Sequence, residues 1–200
     1  MLAINEKMST KVITKISILS VLAFLIMLIE APLWFTPVFL KIDASDLPAL
    51  IGAFALGPMA GVMIEFLKNL LHIVLKGTDT AAVGELANFI VGGLFVYTAG
   101  YIYYKNKNVK SAVIGMAVGT VVMTIGMAIA NYFVLIPFYV KLYGMPLESI
   151  IDMAKAVNNY VVDLKSFILY TVVPFNLIKG IIVSLVTLVI YKRISPILHR

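Results

Sequence analysis

Lys179 lies in Pro174-Phe175-Asn176-Leu177-Ile178-Lys179-Gly180, inside an apolar run from about Phe167 to Tyr191. An ammonium at bilayer depth costs about 2.5 to 3.5 kcal/mol even on lenient insertion scales, so such a residue usually faces a polar cavity or a partner. Snorkelling to the cytoplasmic side would need to cover the stretch from Gly180 to Tyr191, about 18 Å at roughly 1.5 Å per residue. Asn176 sits three residues earlier, on the same side of a helix and at similar depth. Asn131, in Asn131-Tyr132-Phe133-Val134-Leu135-Ile136-Pro137, and Asn88, in Gly84-Glu85-Leu86-Ala87-Asn88-Phe89, stand toward the outer ends of other apolar runs. A carboxamide offers donors and an acceptor on one planar group, which suits the polar edge of a heterocycle. A lysine adds a charge-assisted donor for a carbonyl or hydroxyl oxygen. Trp34, Phe35, Phe39, Phe89, Tyr132, Phe133, Tyr139 and Phe175 can stack on a flat ring, although packing and interface anchoring account for membrane aromatics equally well. Hydrogen bonds between helices likewise explain Asn88 and Asn131 as readily as a ligand does. Glu65 and Lys68 are three apart and can neutralise each other.

The elements that must hold these groups follow from composition. The chain is 62% hydrophobic and 13% charged, with a mean hydropathy of +1.02, far from the roughly 25% charge of soluble domains. It reads as an all-α integral membrane protein, a single domain over residues 1–200. Runs near Val12 to Pro32, Met59 to Leu75, Leu86 to Tyr104, Ser111 to Tyr139 and Phe167 to Tyr191 approach or exceed the roughly 20 apolar residues that a spanning helix needs. A shorter run, Leu47 to Leu56, reads as a half-length helix turning at Gly57-Pro58 into the next, which makes six helical segments. The first run is longer than a signal core and lacks a convincing Ala-x-Ala site, so it reads as a retained helix.

Charge sets the expected orientation. Lys7, Lys11, Lys15, Lys105, Lys107, Lys110, Lys192, Arg193 and Arg200 fall on one face against Glu6 alone. The other face carries Lys41, Lys76, Lys141, Lys155 and Lys165 with Glu30, Asp43, Asp46, Asp79, Glu85, Glu148, Asp152 and Asp163. The positive-inside rule then puts both termini in the cytoplasm. The net charge of +6 reports topology and attraction to anionic lipid, and gives no support to a nucleic-acid partner. On the outer side, the two prolines and the alternation of Val38, Leu40 and Ile42 predict an extended lid between helices 1 and 2. Asp46 is expected to cap the helix after it. Apolar positions from Leu147 to Leu164 predict an amphipathic surface helix.

Several chemistries are excluded or weak. With no cysteine there are no disulfides or thiolate metal ligands. No phosphate-binding Gly-x-x-x-x-Gly-Lys-Ser/Thr loop occurs, and His72 and His199 fit no metal or triad spacing. A catalytic role is therefore not expected, and no cofactor or metal is implied. A self-sufficient secondary transporter would be expected to show an inverted repeat, of which the two halves give no obvious sign.

The stretches Leu40 to Leu50, Gly57 to Gly61, Lys68 to Leu71, Gly84 to Phe89, Asn131 to Pro137 and Pro174 to Gly180 keep an order that resembles the riboflavin-specific S components of energy-coupling factor (ECF) vitamin transporters. The resemblance implies six helices with an outward-facing pocket capped by the loop between helices 1 and 2. It implies riboflavin as transported ligand, with Asn131, Asn176 and Lys179 on its polar portions, Leu40 in the lid, and Gly84 and Asn88 lining the pocket. It also implies a coupling transmembrane subunit and two ATPase subunits as partners, in a prokaryotic cell membrane. S components commonly dock through an Ala-x-x-x-Ala pair on helix 1. The matching places here are Ser17 and Val21, of which Val21 is bulkier and β-branched. Gly115 and Gly119 offer a further close-packing face, read as internal.

Overall fold

The computed structural model describes residues 9–78 and 80–198, with side chains to residue 190. Glu6, Lys7, Asp79 and Arg200 of the charge reading, and His199, lie outside the described residues, as do the side chains of Lys192 and Arg193. Among the described residues, five helical stretches are long and apolar enough to cross a membrane: Thr10–Met27, Pro58–Leu75, Val83–Lys105, Val109–Tyr143 and Leu164–Ile190. The element between the first two is the 11-residue helix Asp46–Leu56.

Helix α1 (Thr10–Met27) starts at a Ser9 cap and stops short of the expected Pro32. Ala31–Pro32 (β1) instead pairs antiparallel with Lys41–Ile42 (β2). The loop between them turns rather than extends. Thr36 folds it, its hydroxyl meeting the backbone oxygens of Leu33 and Leu40 and the amide of Leu33. Alternation of Val38, Leu40 and Ile42 therefore overstated the strand, because one hydroxyl satisfies the backbone that a longer ladder would have used.

Helix α2 (Asp46–Leu56) is buried from Pro48 to Phe54 and packs on α1, on α3 (Pro58–Leu75) and on α4 (Val83–Lys105). The turn into α3 is the expected one. Gly57 adopts φ 107°, where a Cβ is strained, and Pro58 opens α3 with its fixed φ and dispensable N–H. Asp46 does not cap α2: it is the first helical residue behind Ser45, and its carboxylate is turned elsewhere.

Helix α5 (Val109–Ala130) lies so close to α4 that a Cβ on Gly115 would sit 2.7 Å from the Ala99 carbonyl oxygen, so this glycine face is internal. The fourth span continues through a π-helical turn, Asn131–Leu135, into α6 (Ile136–Tyr143). The last span has the same build: α8 (Leu164–Phe167), a π turn Ile168–Val172, then α9 (Val173–Leu198). Each π turn precedes a proline, Pro137 or Pro174. Proline cannot donate to the i−4 carbonyl and crowds it, and a widened turn relieves both problems. The amphipathic helix between the last two spans is α7 (Leu147–Lys155), nine residues rather than the whole stretch to Leu164.

Candidate functional site

The Lys179 ammonium, 2% exposed as a residue, is balanced by carboxylates that the charge reading had put in the outer loop. Asp46 Oδ2 lies 3.1 Å from Nζ and Asp43 Oδ2 lies 3.5 Å away. Asp46 is fully buried and bridges two cations, since its Oδ1 accepts from Lys68 Nζ. Lys68 also donates to Ser45 Oγ at 2.7 Å and stands 2.7 Å from Glu65 Oε2. The Glu65–Lys68 pairing expected from their spacing is thus present, within a larger set of three acids and two bases. Both residues have no exposure.

Burying ions costs several kcal/mol apiece, and only close pairing with further hydrogen bonds offsets it. The backbone makes the room. A Cβ on Gly92 of α4 would fall 2.2 Å from Glu65 Oε2, so only glycine lets α4 pass over this carboxylate.

The network reaches α4 through amides. Asn88 Nδ2 donates to Asp43 Oδ2 at 3.4 Å, and Asn69 Nδ2 donates to Asn88 Oδ1 at 3.4 Å and to the Glu65 carbonyl at 2.8 Å. Asp43 is itself fixed by the Ser45 N–H, which donates to its Oδ1 at 2.7 Å. Of the six residues read from the sequence, Asn88 and Lys179 are therefore brought together, with Asp43 between them.

The other four stand differently. Asn176 is buried and donates to the Val172 carbonyl at 2.8 Å; Asn131 is half-buried and donates to the Met127 carbonyl at 2.9 Å. Each of these bonds uses one amide proton on the residue's own helix, beside a π turn. Leu40 is half-buried and its carbonyl takes the Thr36 hydroxyl. Gly84 donates its N–H to Thr80 Oγ1 at 2.9 Å.

Sequence reasoning missed Asp43 and Asp46 as partners of Lys179. Their signal was present in Leu40 to Leu50, where two aspartates immediately precede an apolar helix that needs company for its N-terminus.

A second polar cluster lies where the end of α3 meets the start of α4. His72 Nδ1 is 3.1 Å from Glu85 Oε1, and the hydroxyls of Thr78 and Thr80 donate to Glu85 Oε2. Above it, Glu30 Oε1 accepts from Lys41 at 2.8 Å and Lys76 at 3.0 Å, tying the β1–β2 hairpin to the end of α3. Partial burial pushes the Glu30 carboxyl up, but the two lysines outweigh it and hold the group below its ordinary value.

A hollow of about 470 Å³ is lined by Trp34, Phe35, Asn158, Tyr160, Tyr170 and Ile178 among others. It meets α9 at Pro174 and Ile178, on the face away from Asn176 and Lys179.

Comparison with known proteins adds to this geometry. The family described as "ECF transporter, substrate-specific component" matches residues 11–191. The chain belongs to this family. This S component is 40% identical over 197 residues to the riboflavin transporter RibU of Staphylococcus aureus (strain TCH60), covering 98% of this chain and 96% of that one. It is 35% identical over 190 residues to the riboflavin transporter FmnP of Bacillus subtilis (strain 168), covering 94% of each. A solved structure, described as "Structure and mechanism of the S component of a bacterial ECF transporter", superposes with a TM-score of 0.75 at 37% identity, over 95% of this chain and 98% of that one. The chain is thus a membrane protein, the substrate-specificity component of an ECF transporter.

Proposed function

We propose that this S component captures riboflavin on the outer side of the membrane and passes it inward with an ECF module of one coupling transmembrane subunit and two ATPase subunits. The observation that carries the reading is the buried Lys179, held with Asn88 through Asp43 next to the base of the lid loop. The names of the two relatives support riboflavin as the ligand. In this reading Lys179, Asn176 and Asn131 meet the polar edge of the flavin, Leu40 closes over it, and Gly84 and Asn88 line the pocket. An uncharged planar vitamin suits a cluster whose ammoniums are already met by carboxylates, since it asks for hydrogen bonds and brings no ion to be balanced.

Helix α2 is the sixth, half-length segment and both termini are cytoplasmic, which the distribution of lysines supports. Ser17 and Val21 are exposed on α1, where a coupling subunit would dock. The chain supplies binding, and ATP hydrolysis belongs to the partners. Quenching of flavin fluorescence by the purified protein tests the ligand: saturable quenching below micromolar riboflavin is expected, and its absence at micromolar concentration rejects the reading.

A further inference from the structure

Two buried ammoniums need two carboxylates, and Asp46 with Glu65 supplies them: Asp46 meets both Lys68 and Lys179, while Glu65 meets Lys68. With Asp43 the cluster holds three carboxylates against two ammoniums, one more than the formal count requires. A third buried carboxylate adds desolvation cost and repulsion from its neighbours, so its retention asks for another reason.

Its contacts supply one. Asp43 is 8% exposed and lies just ahead of α2, the helix that packs on both α4 and α9. Ser45 N–H holds one of its oxygens. The other oxygen faces Asn88 Nδ2 of α4 at 3.4 Å and Lys179 Nζ of α9 at 3.5 Å. One fixed acceptor thus sets the separation between an amide and an ammonium carried by two different helices. Both contacts are long for hydrogen bonds, so both donors can still turn part of their capacity toward a ligand oxygen.

We propose that Asp43 is a positioning residue of the ligand site, acting through Lys179 and Asn88 rather than on the ligand itself. The proposal rests on the reading that those two residues meet the flavin. Asp43→Asn is the informative change. Its Oδ1 can keep the Ser45 N–H, while its Nδ2 turns a donor toward two donors.

Riboflavin affinity is measured by fluorescence quenching on the full chain in detergent, with a melting curve on each variant. Asp43→Asn is expected to raise the dissociation constant at least about tenfold, the scale of one charge-assisted hydrogen bond. In a Lys179→Gln background, the same change should add about threefold or less, because only Asn88 is left for Asp43 to position. Asp152→Asn, the same charge change on the exposed face of α7, should leave affinity within about twofold. An unchanged affinity in Asp43→Asn, or an equal loss in both backgrounds, overturns the proposal. If Lys179→Gln itself binds like wild type, the ligand-site reading fails instead. Where Lys179→Gln yields no folded protein, Asn88→Ala serves as the second background: the loss added by Asp43→Asn should be smaller than in wild type, and an equal loss overturns the proposal.

Discussion

Lys68→Met tests whether the buried charges hold the helices together. The side chain has no exposure and its ammonium is met by Asp46, Glu65 and Ser45. Methionine fills much of the same volume without charge. After the change Asp46 still has Lys179, 3.1 Å away, whereas Glu65 loses the ammonium 2.7 Å from it. Stripping one buried carboxylate of its partner costs about 3–5 kcal/mol. At about 2–4 °C per kcal/mol for a chain of this size, the melting temperature should fall by about 6–20 °C. Glu65→Gln is the counterpart: Lys68 keeps Asp46 and Ser45, so the loss should be about 1 kcal/mol. Combining the two changes should recover part of the Lys68→Met loss, since the stranded charge is then gone. The assay is thermal unfolding in detergent followed by circular dichroism, without flavin. A Lys68→Met protein that melts within about 2 °C of wild type refutes the reasoning, as does a Glu65→Gln protein equally damaged.

Other predictions test separate contacts. Gly92→Ala should destabilise by about 1–3 kcal/mol, because the new methyl overlaps the Glu65 carboxylate and α4 must retreat; pairing it with Glu65→Ala should restore most of the loss in the same melting assay. Gly57→Ala should cost about 1–2 kcal/mol through its positive φ, with the α2–α3 amides exchanging faster. The Glu30 carboxyl is held below its ordinary value of 4.5 in the folded protein, so its contribution is present above that pH and is lost as pH falls through the lowered value. That contribution is at most about 1 kcal/mol, since its lysine partners are partly exposed. Protection factors at Lys41 and Ile42, taken relative to the intrinsic exchange rate at each pH, should therefore fall on acidification and in high salt, and Glu30→Gln should remove most of both responses.

Much of the architecture was legible because hydrocarbon thickness is a blunt ruler. Five long runs, one short run and the Gly57-Pro58 turn follow from counting apolar residues. Lys179 stood out for the same reason. Its partners did not, because Asp43 and Asp46 precede the apolar part of α2 and a boundary drawn at Leu47 assigns them to water. Pairing across 22 residues, as between Asp46 and Lys68, leaves no periodic trace, unlike the i, i+3 spacing of Glu65 and Lys68. The π turns were hidden as well: Pro137 and Pro174 announce a disturbance in the helix, but the choice between a kink and a widened turn depends on neighbouring helices. The amphipathic pattern from Leu147 to Leu164 ran past the end of α7, because apolar residues of the following loop pack inward at similar spacing. Val161 is one of these, and it is fully buried.

The bridging of two ammoniums by Asp46 bears on how the chain is built during synthesis. Helix α2, at 11 residues, is too short to span the bilayer alone and is joined to α3 by the Gly57-Pro58 turn. Within that pair Lys68 can already meet Asp46 and Glu65, which leaves the nascent intermediate with more acid than base. Lys179 arrives only with α9, which is synthesised after the other four described spans. Until then Asp43 has no ammonium to face, and the entry of α9 into the bundle is drawn by an unspent negative charge. A truncation ending before α9 should accordingly be a better substrate for membrane quality-control proteases than its hydropathy alone would suggest.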